Sequence, residues 1–270
     1  MGRMGSRLTR FGALASVAAF VVLAAAGCGG SSATPPTIYI SPAPATPGPG
    51  ATPTPGPPPA AITGEIIATT APDSRWTVTF KKPVIGGVSA AAATKMNDAI
   101  TAKVNTYITD FTSRDLPAVV TGASPSTLDG NYTIALNSSS VVSLRLSILT
   151  QVSGTASVGE AGSINFDAST GAAITLSDVF TNPAAALPII TDKTRGSLSG
   201  TLGSDLKWPG GTVPMSFFDK AWTFTPAGLE FDWSQGAIAG PSAGMPNAVV
   251  AWADLKSTIK PKGPAGGFVR

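Results

Sequence analysis

The densest set of chemically capable side chains in this sequence lies in INFDASTGAAITLSDVF, Ile164 to Phe180, where Asp167, Ser169, Thr170, Gly171 and Asp178 stand between apolar runs. Three structures would use such residues: a cation loop, a catalytic pocket or a tight turn. A calcium loop takes oxygen ligands from alternate positions and ends on a bidentate acid. Asp167, Ser169 and Gly171 imitate its start, but no acid follows at the closing distance. A turn asks for less. Asp167 and Ser169 bond nearby backbone, Gly171 takes positive φ, Ile174 and Leu176 then alternate inward, and Ser177 caps a turn holding Asp178 and Phe180. The turn is the expectation, with no metal and no cofactor.

Four other constellations invite chemistry. GPSAG, Gly240 to Gly244, matches the G-x-S-x-G pattern that would make Ser242 a nucleophile. That elbow needs a strand, a strained turn, a helix and a histidine base. The chain has no histidine, and Met245 and Pro246 follow at once, so a glycine-rich loop is expected. S-x-x-K occurs at Ser204/Lys207 and Ser257/Lys260, without the S-D-N and K-T-G motifs that accompany it in acylating enzymes. Glu230 and Asp232 suggest the paired acids of a glycosidase. They alternate with Leu229, Phe231 and Trp233, so they are expected on one polar strand face, solvated. Trp222, Trp233 and Trp252 sit in strand-like patterns and read as core. Trp208, beside Pro209 and two glycines, is the candidate ligand-contact residue, because an exposed aromatic face packs well on sugars and proteins.

The elements that must position these residues follow from periodicity. RWTVTFKKP alternates as a strand, ended by Pro83. Ser89 caps a helix to about Phe111, with Met96, Ile100, Val104, Tyr107 and Phe111 on one apolar face. GNYTIALN and SVVSLRLSILTQV form two strands; in the second, Val142, Leu144, Leu146 and Ile148 share one face, and Ser143, Arg145 and Ser147 a half-solvated one. SINF is a further strand. LPIITDKTRGSLSGTL places Ile190, Thr194, Leu198 and Leu202 at helical spacing, with Pro188 in its first turn. AWTFTPAGLEFDW reads as a hairpin, NAVVAW as a last strand and ADLKSTIK as a short helical end. The expected class is α+β: a single domain with an antiparallel sheet packed by two main helices.

The N-terminal residues have the layout of an export signal: Arg3, Arg7 and Arg10, an apolar run from Phe11 to Ala26, then Gly27 and Cys28. LAAAGC resembles the lipobox of bacterial lipoproteins, with Ala25 where leucine is most usual. The resemblance implies cleavage after residue 27 and lipidation of Cys28, the only cysteine. Three of the 18 basic residues and none of the 15 acidic ones lie before Cys28, so the mature chain is balanced in charge. No basic excess argues for nucleic acid. Residues 28–63 hold the cysteine and a Pro/Thr-rich tether; between Ser31 and Ile62 it has eleven of the 24 prolines and no charge. Such a segment buries no core and samples polyproline II. A folded domain is expected over 64–262 and a flexible tail over 263–270.

Several of these segments together carry a resemblance. KKPVIGG with KMNDAITAKVNTYITDF, VVSLRLSIL, INFDASTGAAITLSDVF, WTFTPAGLEFDW and AIAGPSAGMPNAVVAWADL look like the extracellular domain of RsiV-type anti-sigma factors, a domain of unknown function (3298). That domain is also similar to secreted mycobacterial immunogenic antigens and accompanies some peptidoglycan deacetylases. The resemblance covers about Trp76 to Ile259. It implies an α+β fold without a catalytic domain, and a partner class of envelope proteins, lysozyme-like proteins or peptidoglycan. Where relatives often have a glycine-rich segment with histidine, this chain has SGTASVGEAG, Ser153 to Gly162, so no contact residue is carried over. The expected protein is not an enzyme. It is lipid-anchored on the outer face of the cytoplasmic membrane or in the cell envelope, and it displays a binding domain. The alternatives are a serine hydrolase acting on an envelope substrate and a purely structural surface antigen.

Overall fold

The computed structural model describes residues 57–119, 122–211 and 213–269. The export signal, Cys28 and the tether as far as residue 56 lie outside the described residues. What is described is one α+β domain of two sheets and four helices.

The larger sheet is formed by β1 (Ala61–Thr70), β2 (Trp76–Gly86), β3 (Ser126–Asn137), β4 (Val141–Gln151) and β5 (Val158–Asp167), in that spatial order. All neighbours pair antiparallel except β2 and β3, which run parallel from Trp76↔Ser126 to Phe80↔Gly130. The parallel pair exists because α1 (Ala90–Thr112) intervenes as a crossover. Pro83 does not end β2 as expected. Beyond Phe80 the strand has left β3 and pairs only with β1, so the missing N–H faces no ladder partner. The Asn97 side chain of α1 covers the same edge: its Oδ1 accepts from Ile85 N at 2.8 Å and its Nδ2 donates to Ile85 O at 2.9 Å.

Helix α1 starts where Ser89 Oγ accepts from Ala92 N at 3.3 Å. Its buried stripe is the expected one, Met96, Ile100, Val104, Tyr107 and Phe111, with Ala92 added. The stripe covers the sheet face that carries Val78, Phe80, Leu128, Leu144, Leu146 and Ile148.

The opposite face carries a second layer: β6 (Trp222–Phe224), β7 (Gly228–Asp232) and β8 (Asn247–Ala251), an antiparallel sheet of order β6-β7-β8. Helix α2 (Pro183–Leu202) packs on β8 through a core that includes Ala186, Ile190 and Leu198. Asn182 caps it and Pro183 takes its first turn, which places Pro188 in the interior and not at the start. Two short helices, α3 (Met215–Phe218) and α4 (Trp252–Leu255), close the layer. The second sheet changes the environment of β4: Ser143, expected on a half-solvated face, is fully buried beneath β6.

Both domain edges shift from their expected places. Ala60 is already buried and β1 begins at Ala61. At the other end, the segment expected as a flexible tail folds back: Ala265 is fully buried and the Phe268 ring stacks on Trp252 at 5.0 Å and 10°.

Candidate functional site

The stretch from Ile164 is the last half of β5 and the turn that leaves it. Asp167 Oδ1 gathers Ser169 N, Ser169 Oγ, Thr170 N and Thr170 Oγ1 at 2.6 to 3.0 Å. Gly171, at φ +71°, closes the turn with its N–H on Asp167 O at 2.9 Å. The cap of the next turn (Leu176–Val179) is Thr175 and not Ser177: Asp178 Oδ2 accepts from Thr175 N at 2.8 Å and from Thr175 Oγ1 at 2.7 Å. Thr175 holds the Asp178 carboxyl below its usual range. Burial opposes the same shift at Asp167, where the donors from Ser169 and Thr170 prevail. Asp167 and Asp178 line a surface hollow together with Lys260 and Lys262, two acids with two basic residues. Among the described residues, no group of three or more His, Cys, Asp or Glu could hold a metal ion.

Ser242 is exposed in a short 3-10 turn, Pro241–Ala243, and no helix of the elbow type follows it. No hydrogen bond links Ser204 to Lys207 or Ser257 to Lys260 among the described residues. All four side chains belong to exposed residues.

Glu230 and Asp232 differ most from expectation. They do share one face of β7, but that face lies against β4, not water. Arg145 of β4 ion-pairs with both: its Nη2 with Glu230 Oε2, and its Nε with Asp232 Oδ2 at 3.2 Å. Asp232 is 8% exposed, and burial pushes its carboxyl up to about 6; Arg145 opposes the rise and Glu230 adds to it. Around this cluster, side chains of the large sheet hold β6 by its backbone. Ser163 Oγ accepts from Trp222 N (2.9 Å), Asn165 Nδ2 donates to Trp222 O (2.9 Å), and Ser143 Oγ accepts from Phe224 N (2.9 Å) while donating to Asn165 Oδ1 (2.6 Å). The clue in sequence is a lone arginine among serines on a strand, facing two acids spaced by two on another; only the tertiary fold brings them together.

Trp222, Trp233 and Trp252 are core, as expected. Trp208 is half-buried. Its ring meets Phe217 edge-on at 5.4 Å and Trp233 at 6.1 Å, so it is one wall of an aromatic cluster and not a free-standing platform.

A further recess lies farther along the sheet face that bears Arg145, where the second sheet no longer covers it. It is a groove of about 500 Å³ floored by Thr79 and Lys81 of β2, Asp129 and Asn131 of β3, and Ser147 and Leu149 of β4; Met245, from the loop before β8, is its wall. Leu149 is 45% and Met245 40% exposed, although both are large and apolar. The sheet is thin at this point. Gly130 belongs to the floor, and a Cβ there would lie 2.1 Å from the Phe80 ring on the far side. Sequence reading misses the groove because its lining comes from three strands and a loop, none with a linear motif. Part of SGTASVGEAG is the first half of β5. Gln235 and Ser234 cap that strand's outer edge: Gln235 Oε1 accepts from Gly159 N (2.8 Å), and Ser234 Oγ accepts from Ala161 N (3.1 Å).

The architecture is that of an α+β domain in which one helix covers one face of a five-stranded sheet and a three-stranded sheet covers the other. Among solved structures, it is similar in fold to a DUF3298-family protein from Bacteroides fragilis, with a TM-score of 0.51 at 12% identity over 80% of this chain and 99% of that one. A DUF3298-family protein from Pseudomonas aeruginosa PAO1 gives a TM-score of 0.48 at 12% identity over 76% and 95%. No protein-family model and no curated protein matches the chain.

Proposed function

We propose that this chain is a lipid-anchored protein of the cell envelope whose domain binds a protein or cell-wall ligand in the sheet-face groove, without catalysis. The observation that carries the reading is the groove itself: about 500 Å³, within the usual size of ligand sites, with exposed Leu149 and Met245 beside a sparse polar set of Lys81, Asp129 and Asn131. One cation and one anion in a mainly apolar lining suit a large neutral polar ligand, such as a stretch of glycan or a protein loop. The lipobox at Cys28 supports an address on the outer face of the cytoplasmic membrane, where peptidoglycan and lysozyme-like proteins are met. No helix among the described residues is long and apolar enough to cross a membrane.

The test is a titration of the purified protein with peptidoglycan fragments, lysozyme and fractionated envelope extract, alongside Leu149→Asp and Met245→Asp. Saturable binding that weakens at least about tenfold in both variants is expected. No retention of any fraction would overturn the binding role, and retention indifferent to both substitutions would move the site off the groove.

A further inference from the structure

The outer edge of β5 is covered in two places and open between them. At one end Gln235 and Ser234 meet the backbone N–H groups of Gly159 and Ala161. At the other, Ile174 N donates to Asn165 O at 2.8 Å and Asp167 N to Ala172 O at 2.9 Å. Successive residues of a strand turn their backbone groups to opposite sides, so Ser163 also presents its N–H and C=O outward, away from β4. Among the described residues neither group has a hydrogen-bond partner. The opening from Ala161 to Asn165 is about 13 Å long, at ~3.3 Å per residue.

A cleft of about 260 Å³ lies against this opening, and Ser163 lines it. Ala99 and Lys103 of α1 form its wall on one face of the sheet, and Asp219 and Trp222 its wall on the other. Lys103 lies over the Tyr107 ring at 5.3 Å and pairs with no carboxylate among the described residues. Asp219 pairs with no basic group among them and accepts only from Leu176 N, at 3.4 Å. Each wall therefore holds one charge without a counter-ion.

The unmet groups are the N–H and C=O of one residue, which a single residue of an added strand satisfies together. A residue opposite Ser163 shares its face of the sheet. Ser163 Oγ accepts from Trp222 N, so that is the face of Trp222 and Asp219. The next residues of the added strand turn to the α1 face, where Lys103 stands. Charge then sets the order: a basic residue opposite Ser163 and an acidic one beside it. The covers at Ala161 and Asn165 limit the paired length to about three or four residues. The tether of this chain has no charge between Ser31 and Ile62 and does not offer that order.

We infer that the open stretch of β5 takes an extended peptide segment of a partner protein. One residue of that segment exchanges both backbone hydrogen bonds with Ser163, its basic side chain facing Asp219 and its acidic neighbour facing Lys103. The site lies on the sheet edge, apart from the groove, so the inference goes beyond the groove reading and does not rest on it.

The Ser163 amide reports the pairing. In a nitrogen–proton correlation spectrum of the full chain, its resonance is followed while the peptide Thr-Glu-Lys-Glu-Thr, blocked at both ends, is added. Glutamate stands on both sides of the lysine so that either strand direction fits. A saturating downfield shift is expected, with an apparent Kd of about 0.1–1 mM, in keeping with so few contacts. Methylating the lysine backbone nitrogen removes the donor to Ser163 O and keeps every charge; it should weaken binding at least about fivefold. The charge-reversed peptide Thr-Lys-Glu-Lys-Thr should bind at least about threefold more weakly, and should become the better ligand of the double variant Lys103→Glu with Asp219→Lys. A Ser163 amide unmoved at roughly 10 mM peptide overturns the site. Equal binding of the N-methylated peptide, which needs no variant to fold, overturns the backbone pairing. A charge preference that survives in the folded double variant overturns the roles of Lys103 and Asp219. A shift produced by an N-acetylglucosamine oligomer, or by raising the protein concentration alone, would give the opening to a glycan or to a second copy and overturn the peptide assignment.

Discussion

Asp232, the last residue of β7, shares Arg145 of β4 with Glu230, and burial lifts its carboxyl from 3.8 to about 6. The folded chain therefore binds this proton more tightly than the unfolded chain does. Linkage then makes stability fall as pH rises from about 4 to about 6, and this group contributes no further change above that window. A shift of this size is worth on the order of 3 kcal/mol at most. Asp167 and Asp178 act in a different window: their lowered carboxyls stabilise the fold above about pH 4 and lose that contribution as pH falls further. Asp232→Asn keeps the shape and removes the titration. Urea unfolding of this variant should lose the downward slope between about pH 4 and 6 and gain about 1–2 kcal/mol at neutral pH; a slope that survives the substitution belongs to another group. Gly171 makes a different demand, since at φ +71° an added Cβ would lie 2.4 Å from Ala92 O. Gly171→Ala should therefore cost about 2–4 kcal/mol, read as a lowered Tm. Calcium should leave the Tm of the unsubstituted protein unchanged, since a ligand of the native turn would raise it.

At the scale of elements, β6 is held to the large sheet by side chains and not by a ladder. Ser143 is the pivot, fully buried, accepting from Phe224 N and donating to Asn165 Oδ1. Ser143→Ala leaves both partners buried and unsatisfied, so a loss of about 2–3 kcal/mol is expected, more than for a surface serine. Hydrogen exchange should show where: the Phe224 amide loses protection first, ahead of the α1-covered face. A loss spread evenly over both faces would mean that the two sheets unfold as one unit. The same contrast explains what could be read from sequence. Helix α1 was legible to within a residue because the period of Met96, Ile100, Val104, Tyr107 and Phe111 is a property of one segment. β1 was not, because AITGEIIATT is exposed along most of its length and is a strand only by pairing with β2. The serines and Arg145 of β4 read as solvated because alternation reports that two faces differ, not what lies against each. The acids of β7 were placed correctly on one face and wrongly in water for the same reason.

For the whole molecule, the proposed envelope address raises the question of what would hold a charge-balanced domain at a membrane. The chain after residue 27 has as many acidic as basic residues, so electrostatic attraction to anionic lipid is weak for want of any basic excess. No helix among the described residues supplies a span. On the proposed reading, membrane association comes through Cys28, and two results follow. Cys28→Ala should move the protein from the membrane fraction to the soluble fraction while the Tm of its domain stays the same, because the substitution lies outside the described residues. High salt should leave the unsubstituted protein on the membrane, since salt screens charges and leaves acyl burial intact. Retention of the Cys28→Ala protein, or release of the unsubstituted one by salt, would replace the anchor with a surface contact made by the domain. The groove around Leu149 and Met245, where exposed apolar side chains line a recess, would then be the first place to look for it.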